Sequence, residues 1–136
     1  MKDKLGRTEL HYAAADGDSR RAASLLAEGA DPNSTDDNGW TPLHFAAQAC
    51  CEKVVELLLA SGAAIDAQDS HGNTPLFRAV FNYRGDGSVI LRLRAAGADP
   101  FRFNAHQVNP VRLARTIANY DVRRFFEDLS ESDEAS

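Results

Sequence analysis

The chain has 136 residues, 43 % of them hydrophobic and 26 % charged, with a formal net charge of −5. That balance excludes a disordered, fibrous or membrane-embedded class and leaves a single folded domain. The charge is unevenly placed: residues 1–77 carry six basic and twelve acidic side chains, residues 78–126 nine arginines and three aspartates, and the last ten residues five acidic ones.

At the start, "MKDKLGRTEL" lacks the apolar stretch of a signal peptide. The longest apolar cluster, "VVELLLA", falls short of the ~20 residues that span a bilayer. A cytoplasmic protein with no membrane partner is expected. Cys50 and Cys51 are sequence neighbours and cannot form a long-range staple, so free thiols in a reducing compartment are expected.

Read along the chain, three stretches fall into register: "DKLGRTELHYAAADGD", "DDNGWTPLHFAAQACC" and "DSHGNTPLFRAVFNYR". Their glycines, Gly6, Gly39 and Gly72, are spaced by 33 residues. A second register places Gly29, Gly62 and Gly97 in one slot, and its last interval of 35 marks a two-residue insertion between Gly72 and Gly97. After the insertion, "NAHQVNPVRLARTIANYDVRRFFEDL" reads as a worn fourth copy, with Asn104 in the aspartate slot, Gln107 in the glycine slot and Pro110 in the proline slot. A fixed period of this size is the mark of a stacked array. The expected units are 3–35 as N-terminal cap, 36–68, 69–103 with the insertion, 104–129 as C-terminal cap, and an acidic tail over 130–136.

The second copy shows the local logic. Asp36 to Gly39 has turn chemistry, with a glycine free to take positive φ and an aspartate able to bond nearby amides. Thr41 is the expected N-cap of a short helix, and Pro42 suits its first position because the missing N–H had no partner there anyway. Leu43, Ala46 and Ala47 share one face of that helix, and their small size lets a neighbour approach closely. After a break near Cys50, Val54, Val55, Leu57, Leu58 and Leu59 form a wider apolar stripe on a second helix, which Gly62 ends in the left-handed conformation. Each unit is a turn and two antiparallel helices, too thin to bury its own stripe and obliged to stack. Exposed charges on the end copies, Arg20 and Arg21 at one end and Arg123, Arg124, Glu127 and Asp128 at the other, read as solubilising caps.

The period and the words "GWTPLHFAA" and "GNTPLFRA" resemble the ankyrin repeat, and the resemblance covers Asp3 to about Leu129. It implies an all-α solenoid of about four helix-turn-helix repeats with β-turn fingers, and a non-catalytic role in binding a folded partner protein. It also implies that His11 and His44, which share one slot, brace the stack by bonding the neighbouring turn. That slot passes to Phe77 and Arg112 in the later copies, which a catalytic histidine would not do. In the family, the turn tips and adjacent inner-helix face form a concave groove. Carried over residue by residue, the groove takes Asp37, Asn38, Trp40, Gln48 and Ala49 from the second copy, and Ser70, His71, Asn73, Phe81 and Asn82 from the third. Phe103 follows from the variable place before the fourth turn, alongside Thr35 and Gln68. Trp40 and Phe103 are large aromatics in normally exposed places, explained either by a partner's pocket or by a ring lying across the next turn. Tyr83, Arg84 and Asp86 fall on the lengthened connector, read here as a fitted contact rather than drift.

Other chemistries find less support. His71 and His106 occupy equivalent places, but stacked units ~8–10 Å apart hold them too far apart for one zinc ion without further ligands, so no metal is expected. No phosphate loop, serine elbow or zinc-protease signature is present. "RGDGS" at 84–88 follows a helix rather than a strand and reads as a connector. Nucleic acid is not expected, because the arginines of the second half are scattered and lack interleaved aromatics. An enzyme would need convergent titratable groups in a pocket, and neither these nor a cofactor motif can be found. The chain also looks like small free-standing bacterial ankyrin proteins, some of which are immunity proteins. An acidic first half would steer a basic enzyme or toxin to the groove. The monomer is the expected unbound state, and the acidic tail is expected to fold back on the arginines.

Overall fold

The computed structural model describes residues 2–117 and 121–129. The tail over 130–136, and with it the expected fold-back, lies outside them. Seven α-helices follow in order: α1 (Glu9–Ala15), α2 (Ser19–Ala27), α3 (Pro42–Gln48), α4 (Glu52–Ala60), α5 (Pro75–Phe81), α6 (Ser88–Ala95) and α7 (Pro110–Thr116). A 3-10 helix, Asp121–Phe126, comes last. The short helices α1, α3, α5 and α7 pack in one row, and α2, α4 and α6 in a second behind it. All of these described elements are helical, the all-α repeat solenoid that the period implied.

The inner row can be close because its facing residues are small. Ala13 and Ala14, Ala46 and Ala47, Ala79 and Val80, and Ala114 are all buried. The outer row buries larger groups, with Val54, Val55 and Leu58 on α4 and Val89, Ile90 and Leu93 on α6. Thr8, Thr41, Thr74 and Asn109 each cap an inner helix by accepting the backbone N–H three residues on. Thus one local rule starts every inner helix.

The turns between repeats project as fingers. In each, one side-chain oxygen accepts two backbone amides: Asp36 takes Asn38 and Trp40, Asp69 takes His71 and Asn73, and Asn104 takes His106 and Val108, at 2.8–3.0 Å. Adjacent fingers are joined backbone to backbone, Asp37 N–H to the Leu5 carbonyl, Ser70 to Asn38 and Ala105 to His71, each at 2.9 Å. Asn104 and Gln107 (φ +63°) thereby reproduce the geometry of the earlier aspartate and glycine slots. Cys50 takes the left-handed slot that Gly17 fills one period earlier, at φ +56°.

The insertion departs from the sequence expectation. Tyr83 is only 4 % exposed, and its ring meets Phe125 edge-on with centroids 5.6 Å apart. Tyr83 is therefore corrected from an exposed contact to a core residue. The lengthened connector wraps the C-terminal element, a meeting across 42 positions that no single repeat foretells. Gly87 completes the seat: a Cβ there would lie 2.0 Å from Phe125 Cζ, although its φ of −93° suits any residue. Arg94 ties the other side with two bonds to the Asp128 carboxylate, 2.7 and 3.0 Å, and one to the Phe125 carbonyl. The last outer element is a 3-10 helix rather than the α-helix of earlier copies. Three residues per turn align Val122, which is buried, with Phe125, which is half-buried. Gly87→Ala should cost about 1–3 kcal/mol by overpacking. Urea unfolding should show that loss in the wild type and almost none in a Phe125→Ala background.

Candidate functional site

The bracing histidines explain how the groove is held. In α3, His44 occupies the third helical position, and its Nδ1 accepts the Thr41 amide at 3.1 Å. That leaves the ring proton on Nε2, which donates to the Asn73 carbonyl in the next finger at 2.8 Å. His11 repeats the arrangement one unit earlier, taking the Thr8 amide at 2.9 Å and giving to the Trp40 carbonyl at 2.9 Å. Both rings are fully buried, and burial holds both below the ordinary imidazole pKa, against the pull of those carbonyls and of Asp36 or Asp69. They are neutral struts, as the resemblance implied. Phe77 fills this slot in α5 and has no such donor, so the junction to the last finger leans on the Asn104 Nδ2 bond to Asn73 Oδ1, 2.9 Å.

The struts present a concave flank. Asn38, Trp40, Gln48 and His71 of the expected set line one open cleft of about 290 Å³, together with Arg7, Asp36 and Phe45. That is just below the usual range of small-molecule pockets, ~300–1,000 Å³. Asp37, Ala49 and Ser70 are exposed nearby, while Phe81 is 54 % exposed at the end of α5.

Other expected contacts have internal duties. The Asn73 carbonyl and side chain serve the stack, and Asn82 ends α5 by donating to the Arg78 carbonyl at 2.9 Å. Phe103 is 37 % exposed, with the Arg112 guanidinium 5.0 Å over its ring. Arg84 is exposed on the connector and donates to the Tyr83 carbonyl. Asp86 caps the start of α6 through the Ser88 amide, 3.0 Å. Trp40 is half-buried, packed on Phe45 with centroids 4.8 Å apart.

Two residues that the sequence reading overlooked define the flank. The Arg7 guanidinium sits 5.0 Å over Phe45 and 5.8 Å from Tyr12, and that of Arg78 sits 4.7 Å over Trp40 and 5.1 Å over Phe81. Contrary to expectation, Arg78 of the second half does stack on aromatics, Trp40 of the preceding repeat and Phe81 of its own helix. The signal that could have found Arg78 is the slot after the bracing position, which recurs with the period and otherwise carries Tyr12, Phe45 and Leu113. Arg7 is neutralised by Asp36, Nε to Oδ2 at 3.3 Å.

His71 and His106 stack with ring centroids 6.5 Å apart, nearer than repeat spacing alone suggests. Among the described residues no third His, Cys, Asp or Glu completes a ligand cluster with them. Nor is any helix among those residues long and apolar enough to cross a membrane.

The comparison with protein families matches residues 4–104 to the family described as ankyrin repeats in three copies. The comparison with curated proteins finds no match.

Proposed function

Since the chain belongs to the ankyrin-repeat family, whose repeats generally mediate protein–protein interaction and are typically non-catalytic, we propose that it grips a folded partner protein through its finger tips and concave inner-helix face. The observation that carries this reading is the cleft lined by Trp40 and His71, with the exposed Phe81 ring joined to Trp40 through the Arg78 guanidinium that packs on both. Hot spots are typically such aromatic anchors in desolvatable hollows. In this reading the protein acts as a cytoplasmic monomer, residues 104–129 serve as the capping fourth repeat, and the free Cys50 and Cys51 fit a reducing compartment.

The immobilised chain should retain a partner from native extract, identified by mass spectrometry. Phe81→Ala should lower the partner's affinity by about 2 kcal/mol, roughly thirtyfold in Kd, with little change in melting. Leu91→Ala, equally exposed but on outer helix α6, should leave affinity alone. A partner released by the Leu91 change and not by the Phe81 change would place the interface on the other row.

An inhibitory form of the same reading, in which the partner is a basic enzyme or toxin held inactive, draws support from the acidic excess of residues 1–77. Loss of the retained partner's own activity on saturation with the chain would distinguish inhibition from scaffolding.

A further inference from the structure

Arg78 is an anomaly in its own slot. The equivalent inner-helix positions carry Tyr12, Phe45 and Leu113, so stacking the repeats does not require a charge there. The guanidinium is half-buried between the Trp40 and Phe81 rings. Its Nη2 donates to Gln48 Oε1 at 2.7 Å, while its buried Nε has no acceptor. Among the described residues no carboxylate lies within ion-pair distance of it, whereas Arg7 on the same flank has Asp36, and Arg92 and Arg94 on the outer row have Glu56 and Asp128. Loss of hydration penalises the charge, with Asp69 opposing only at longer range. A half-buried guanidinium that no carboxylate neutralises is a receptor for an anion at its outer nitrogens.

We propose that Arg78 is the anchor for an acidic side chain, Asp or Glu, of the folded partner, which meets the guanidinium beside Gln48 with its aliphatic stem against Phe81 and Trp40. The inference rests on the reading of the concave face as the partner surface and names what that partner must present. A single carboxylate fits where a polyanion does not. Asp36 lines the cleft, the buried Asp69 acts on Arg78 at longer range, Asp37 is exposed, and the first two repeats are predominantly acidic. A nucleic acid backbone would meet that field as repulsion.

The test uses the full chain as bait for a phage-displayed library of a small folded scaffold with a randomised surface loop. Selected clones should carry Asp or Glu at one loop position and lose roughly tenfold or more in affinity on Arg78→Gln. Changing the clone's acid to its amide should weaken binding to the wild type but cost little further on Arg78→Gln, the signature of a direct pair. If Arg78→Gln melts early, Arg78→Met keeps the stem between the two rings and removes only the charge. Clones that depend on Phe81 and Trp40 yet ignore Arg78 and show no acidic preference would overturn the anchor while leaving the groove in place. Clones that ignore all three residues would overturn both readings.

Discussion

The His44→Ala protein should melt roughly 10–20 °C below the wild type, a loss of about 3–5 kcal/mol. The imidazole spans two repeats, accepting the Thr41 amide and donating to the Asn73 carbonyl. Its removal orphans both groups, the Thr41 amide in a buried site and the Asn73 carbonyl in a partly buried one, and an unpaired buried polar group costs ~1–3 kcal/mol. The void left beside the inner row adds a cavity term. Acid should do gradually what the substitution does at once. Burial holds His11 and His44 below their ordinary value of 6.5 in the folded state, so between that depressed value and 6.5 the unfolded chain binds more protons. Stability from these two residues is therefore complete above about pH 6.5 and declines as pH falls through the folded-state pKa values. Urea midpoints measured across pH 4–8 should fall on the acid side for the wild type and flatten when both histidines are replaced. An unchanged acid limb in the double variant would show that carboxylates, not the struts, set it.

Gly39→Ala should lose about 2–5 kcal/mol, from two sources. The residue sits at φ +78°, a conformation that costs an L-residue ~1–2 kcal/mol. A Cβ there would also lie 2.9 Å from the Ser70 nitrogen and 3.1 Å from Asp69 Cα. Those atoms are backbone and cannot swing aside, because the Ser70 amide is bonded to the Asn38 carbonyl across the same gap. Overpacking of that kind costs a further ~1–3 kcal/mol. Gly62→Ala is the matched control: its φ is +94°, but nothing lies within 4 Å of the added carbon, so only the conformational cost of ~1–2 kcal/mol applies. Denaturant midpoints should therefore separate the two substitutions. Equal losses would mean that the fingers do not press on one another as described.

The difference between these glycines marks how far a sequence can be read. Both fall on the period, and both have the positive φ that their turn or helix-end position called for. Only Gly39 has a neighbouring finger against it. The same division runs through the candidate site. Asn38, Trp40, Gln48 and His71 were legible because they occupy repeating slots on the concave side, and the structure gathers them around one cleft. Arg78 was passed over because its cradle is split between helices, with Trp40 entering α3 and Phe81 ending α5. Asn73 carries the slot of a contact residue, but its carbonyl and amide face other repeats.

What the sequence determined by itself is everything that closes within one repeat: the Thr caps, the prolines at the first helical position, the left-handed glycines and the apolar stripes. These depend on residues three or four apart, whose relation is fixed by helix and turn geometry. The tertiary structure alone decided where the insertion goes. Tyr83 lies against Phe125 and Gly87 makes room for that ring, so the lengthened connector completes the stack's end. Such contacts join residues about 40 positions apart. A repeat pattern says that neighbouring units touch, but the fit of particular side chains across the junction follows from the shape of both surfaces at once.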